Sequence, residues 1–143
     1  MDASTLAAAF ALALAAYLLI TDWVDLAPWN KVDDLPVRQK LLISVANYTP
    51  LLFVAVAVLL GGGLLVALAL LVGIVDLAMH VAYWWLPYAR GASAEQLSER
   101  ERLFGGTTTF LPAIGNHPIP NAQHVVVGIL MAAMVAFTAV SAI

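Results

Sequence analysis

Four uninterrupted apolar runs dominate this sequence, and they leave little choice of fold. They cover about residues 5–21 ("TLAAAFALALAAYLLIT"), 41–60, 64–86 and 124–143. Each can cross a hydrocarbon core about 30 Å thick, which takes roughly 20 residues of helix. Backbone N–H and C=O groups in lipid have no water to bond, so a lone crossing run must be helical. A barrel strand would alternate polar and apolar residues, and none of the four runs does so. Of the 143 residues, 63% are hydrophobic and 10% charged, with a mean hydropathy of +0.94. Soluble domains are only about half apolar and a quarter charged, and a chain this short has too little interior to hold the surplus. The expected fold is an all-α integral membrane protein: one domain, residues 1–143, forming a four-transmembrane-helix bundle with a short interfacial helix in its second long loop.

Several function classes drop out. A net charge of −3 and the lack of any Lys/Arg cluster give no footprint for nucleic acid. Without cysteine there is no disulfide, thiolate metal site or thiol nucleophile. No Walker sequence, dinucleotide-binding glycine fingerprint or G-x-S-x-G elbow occurs. The "GGG" at 61–63 reads as a tight turn between helices. The first run is preceded by "MDAST", acidic where a signal peptide is basic, so it is expected to stay as a membrane span.

Charge sets the expected orientation. Four spans put loops 22–40 and 87–123 on one side, and Lys31, Arg38, Lys40, Arg90, Arg100 and Arg102 all fall in them. The positive-inside rule then makes both loops cytoplasmic and both termini external, with a bacterial plasma membrane as the expected setting. The loops carry start signals of their own. Asp33 or Asp34 is placed to cap the second helix, with Pro36 in its first turn. Ser93 with Gln96 forms a capping box, and the helix it opens ends at Gly105, with Leu97 and Phe104 facing down and Glu95, Glu99 and Arg102 facing water. Prolines at 112, 118 and 120 stiffen the remainder, and Asn121 is a cap for the fourth span.

Polar residues inside the spans gather at the loop side. Asp76 lies about ten residues from the end of its span, roughly 15 Å deep at 1.5 Å per residue. His80 is one turn nearer the loops on the same face, followed by Tyr83 and Trp84. Asn47 and Tyr48 share a side of the second span, His124 opens the fourth, and Asp22, Asp25, Trp29 and Asn30 stand at the mouth. The pattern is a polar funnel tapering to Asp76. An unpaired carboxylate in hydrocarbon costs about 2.5–3.5 kcal/mol, so this one is expected to be paired, protonated or used. The structural alternative bonds Asp76 and His80 to Asn47, Tyr48 or a carbonyl to fix helix register. Residues such as Trp84, Trp85 and Tyr88 at this level are more often anchors of an aromatic belt.

The expected activity is acid/base chemistry on a lipophilic small molecule: isomerisation, cyclisation or hydrolysis. Asp76 is the acid or base, His80 its relay, and His124 and Asn47 orienting groups. Asp22, Asp25, Trp29, Asn30, Tyr48, Tyr83, Trp84, Trp85 and Tyr88 are candidate binding residues. No cofactor is required; His80, His124 and Asp76 are the set that would hold a divalent metal. Membrane lipid is the expected partner, and a homo-oligomer is allowed. The alternatives are a subunit of an oligomeric transporter with Asp76 as coupling carboxylate, or a lipid-binding interaction protein.

Overall fold

Local signals start and stop most of the helices. Asp2 caps the first, its carboxylate accepting from Thr5 N at 2.8 Å, and α1 runs Ala3–Trp23. The computed structural model describes residues 1–32 and 35–143, so the expected cap at Asp33 or Asp34 lies outside the described residues. Helix α2, Val37–Leu60, follows Pro36, whose fixed φ suits a helix entrance and which makes no side-chain cap. Gly61 and Gly62 turn the chain with φ of 72° and 91°, values that favour glycine. Helix α3 is Gly63–His80. It passes without a break into a π-helical turn, Val81–Trp85, and then α4, Leu86–Arg90. The capping box of Ser93 and Gln96 forms as expected and opens α5, Ala94–Phe104, while Asn121 caps α6, Ala122–Ser141. Among the described residues there is no strand.

The four long apolar helices are Ala3–Trp23, Val37–Leu60, Gly63–Arg90 and Ala122–Ser141, each long and apolar enough to cross a membrane. Within an apolar 18-residue stretch of each, only 28, 33, 22 and 28% of the residues, in that order, are buried against the rest of the chain. The remaining surface is apolar too, including Leu42, Val56, Leu64, Leu71 and Ile129, and an apolar medium satisfies it where water does not. Four such helices fit a membrane protein.

Helix α1 packs on α2 and α6, α2 on α3, and α3 on α6, which closes a ring. Its core holds Ala7, Ala11, Leu14 and Leu18 of α1, Leu51, Val54 and Val58 of α2, Ala69 of α3, and Val127, Met131 and Met134 of α6. Phe10 stacks on Phe137 at 5.5 Å. Gly73 lets α3 approach α6 closely: a Cβ there would lie 3.2 Å from Val135 Cγ2. The loops tie together at the other end, Thr108 N donating to Pro28 O at 2.7 Å and Ala122 N to Thr108 O at 2.8 Å.

Candidate functional site

A cavity of about 500 Å³ opens at the loop end of the four spans. Asp22, Asn47, Asp76, His80, Tyr83, Trp84 and His124 line it, so the funnel expected from the sequence brings these together in one wall. Leu18, Ile43, Met79, Leu103, Val127 and Met131 make much of the remainder. Lys31, Gln39 and Gln123 also line it and were not among the candidates.

The two carboxylates differ in their partners. Asp22 Oδ2 accepts from Tyr48 OH at 3.2 Å and Asn47 Nδ2 at 3.4 Å. The Tyr48 hydroxyl belongs to a donor chain that begins at Trp23 Nε1, which donates to Ser44 Oγ at 2.9 Å; Ser44 then lies 3.4 Å from Tyr48 OH. Asn47 and Tyr48, the register partners offered for Asp76, thus serve Asp22 instead. Asp76 Oδ2 and His80 Nε2 are buried without a hydrogen-bond partner. The His80 ring presses on α6 where that helix is thinnest: a Cβ at Gly128 would lie 3.0 Å from Nε2.

His124 has one assignable tautomer. Asn121 Oδ1 accepts from His124 N at 3.1 Å as the helix cap, which fixes that atom as oxygen, and it lies 2.6 Å from His124 Nδ1. Nδ1 therefore carries the proton, and in the neutral ring Nε2 is left as an acceptor. The ring stacks on Trp84 at 3.7 Å and meets the Phe104 edge at 5.2 Å.

Other candidates stand apart from the cavity. Asn30 is 1% exposed and fully engaged by the backbone: its Oδ1 accepts from Leu26 N at 2.6 Å, and its Nδ2 donates to Thr21 O and to Val24 O at 2.8 Å. It closes the end of α1. Trp29 Nε1 donates to Tyr17 OH at 2.8 Å. Tyr88 OH donates to Pro112 O at 2.8 Å, and Trp85 meets Tyr88 edge-on at 6.4 Å. Asp25 and Tyr48 do not line the cavity, and Asp25 Oδ1 is buried without a hydrogen-bond partner. Among the described residues no group of three or more His, Cys, Asp or Glu is placed to hold a metal ion, so His80, His124 and Asp76 do not assemble as a ligand set.

Arg100 is the residue that sequence reasoning missed. Pro87 has no N–H, so the carbonyl four residues earlier, that of Tyr83, has no α-helical donor. The chain widens into the π-turn there, with Leu86 N donating five residues back to Val81 O. Arg100 reaches across from α5 and its Nη2 donates to Tyr83 O. Its guanidinium lies 4.6 Å from the Tyr83 ring centroid and 4.5 Å from that of Trp84. Trp84 meets Phe104 at 4.9 Å. One clamp thus holds α5, and with it Leu103 and Phe104, as a cover on the cavity. The sequence did carry the signal: Leu97, Arg100 and Phe104 share one helical face, so a charge sits on the apolar stripe of α5, opposite a proline-broken helix.

Compared with protein-family models, with characterised proteins and with solved structures, the chain matches none.

Proposed function

We propose that this protein is a small membrane-embedded enzyme that holds a lipophilic molecule in the cavity and exchanges a proton with it through Asp76. One observation carries the reading: Asp76 Oδ2 is buried in the cavity wall without a hydrogen-bond partner, and His80, one helical turn away in the same wall, meets the backbone of His124. An unmatched polar atom at such depth is costly, and a bound molecule with its own donor or acceptor supplies what it lacks. The apolar lining suits a hydrophobic body, and the polar groups fix which of its atoms faces Asp76. His80, nearer the loops, relays the proton toward water, and the free His124 Nε2 orients the substrate.

In this reading the four spans form a bundle with both loops cytoplasmic, since all six Lys and Arg residues lie at that end, and α5 rests at the interface with Leu97 and Phe104 inward. A transport path finds no support at the opposite end, where Ala7, Ala8, Ala57 and Val58 fill the core with apolar atoms.

Native mass spectrometry of protein released gently from detergent tests the proposal. The wild type is expected to retain a small lipophile that Asp76→Asn and His80→Ala retain less well, both remaining folded. Equal retention by all three proteins would return Asp76 and His80 to a structural role.

A further inference from the structure

The clamp explains the position of Arg100 but leaves its charge unbalanced. Arg100 is 9% exposed, and its direct contacts among the described residues, a carbonyl and two ring faces, bear no full negative charge, Glu99 acting on it only through space. Burial draws its pKa below the ordinary guanidinium range, while Tyr83 and its chain neighbour Glu99 act the other way. A guanidinium nevertheless stays protonated in proteins, and a buried cation without a counter-ion is unfavourable.

Arg100 does not line the first cavity. It lines a second, half-open one of about 550 Å³ between α5 and the loop that leads to α6. Ser98, Thr109, Asn116 and His117 contribute hydroxyl, amide and imidazole groups to the same space. Glu101 is also on its wall, but its carboxylate folds back over the end of its own helix: Oε1 would lie 2.7 Å from a Cβ at Gly105. The cavity therefore offers a fixed cation with hydroxyl, amide and imidazole groups, while the Glu101 carboxylate on its wall is turned toward Gly105.

We propose that this second cavity is an oxyanion site, in which Arg100 pairs with a phosphate group, either of a lipid headgroup or of a free phosphate. The clamp pre-orients the guanidinium, and its planar fork of N–H donors matches two oxygens of a phosphate. The carbonyl of Tyr83 and the faces of Tyr83 and Trp84 hold one side of the fork, which leaves the other to the anion.

Calorimetric titration of the full-length protein in a maltoside detergent tests this, with inorganic phosphate and a short-chain phosphatidylglycerol as separate ligands and chloride holding ionic strength constant. Saturable binding is expected for at least one. Binding of phosphate assigns a soluble anion, and binding of the lipid alone assigns a headgroup. Arg100→Gln is expected to weaken it about tenfold or more, the usual worth of a charged hydrogen bond. Arg102→Gln, an exposed residue of equal charge on the same helix, is expected to leave it intact. Ser98→Phe fills the cavity from its rim without touching the clamp and is expected to abolish binding even if Arg100→Gln fails to fold. The proposal is overturned if neither ligand binds saturably, if Arg102→Gln weakens binding as much as Arg100→Gln, or if Ser98→Phe binds as the wild type does. Such a failure leaves the first cavity's reading standing, because Asp76 and His80 play no part in the test.

Discussion

Replacing each cavity carboxylate with leucine is expected to move stability in opposite directions. Asp22→Leu removes the acceptor of Tyr48 OH and Asn47 Nδ2, bonds of 3.2 and 3.4 Å. A buried donor left unpaired costs about 1–3 kcal/mol; both donors here are part-buried and their bonds long, so the low end applies and the loss is about 2 kcal/mol in all. Asp76→Leu removes a carboxyl whose Oδ2 has no partner. No bond to that oxygen is lost, and a polar group worth about 2.5–3.5 kcal/mol of insertion penalty as a carboxylate leaves the span. The cavity beside it has room for leucine, so overpacking is small. The expected outcome is a neutral change or a gain of up to about 2 kcal/mol. Reversible unfolding in mixed micelles, followed by far-UV circular dichroism, resolves a gap of about 2–4 kcal/mol between the variants. The same Asp76→Leu preparation is expected to lose the bound lipophile, a more stable protein that no longer holds its ligand. If Asp76→Leu destabilises the fold as much as Asp22→Leu, then Asp76 has partners that hold the helices together, and the argument from its unmatched oxygen fails.

Asn30→Ala breaks three backbone contacts at the end of α1 and is expected to lower stability by about 2–3 kcal/mol without changing ligand retention in the folded fraction; selective loss of ligand at full stability would restore Asn30 to the binding site. Gly128→Ala places a methyl 3.0 Å from His80 Nε2 and 3.5 Å from Trp85 Nε1, so it is expected to cost about 1–3 kcal/mol and to reduce retention, and a variant matching the wild type in both respects would show that His80 has freedom to move. Pro87→Ala restores an N–H that competes with Arg100 for Tyr83 O, so hydrogen exchange of residues 94–104 is expected to accelerate; unchanged exchange would mean that α5 is held by its other contacts.

How much of this was legible in the sequence depended on the range of the interaction that decided it. The four long apolar helices, the Ser93–Gln96 box and the Asn121 cap follow from residues within a few positions of one another, and each formed as expected. Asp76 and His80 shared a cavity because a four-residue spacing on one helix fixes their common face. Partner choice between helices was hidden: whether Asn47 turns to Asp22 or to Asp76 depends on the rotation of α2 about its axis, which its apolar, nearly featureless surface does not encode. Asn30 read as a mouth residue because the path of the loop that returns it to α1 is set by contacts such as Thr108 N to Pro28 O, some 80 residues apart in the chain. The π-turn and Arg100 were legible only jointly, since Pro87 creates a free carbonyl and the residue that satisfies it lies on another helix.

The distribution of satisfied and unsatisfied polar groups bears on function more directly than their number. Thr21 and Thr138 return their hydroxyls to carbonyls of their own helices. Ser44 accepts from Trp23, and Asn30 and Asn121 bind backbone that helix ends leave open. These groups reduce the burden of placing polar atoms in an apolar setting, as structural polar residues do. The buried side-chain atoms without hydrogen-bond partners among the described residues are Asp25 Oδ1, Asp76 Oδ2 and His80 Nε2. Had the unmatched atoms been incidental flaws of packing, nothing would have favoured two of them in the wall of one cavity and on consecutive turns of one helix. Asp22, in the wall of the same cavity, shows that this bundle can satisfy a carboxylate there with a tyrosine and an asparagine. Asp76 Oδ2 is left without such partners in the wall of the cavity, the arrangement expected of a group whose partner arrives with the ligand.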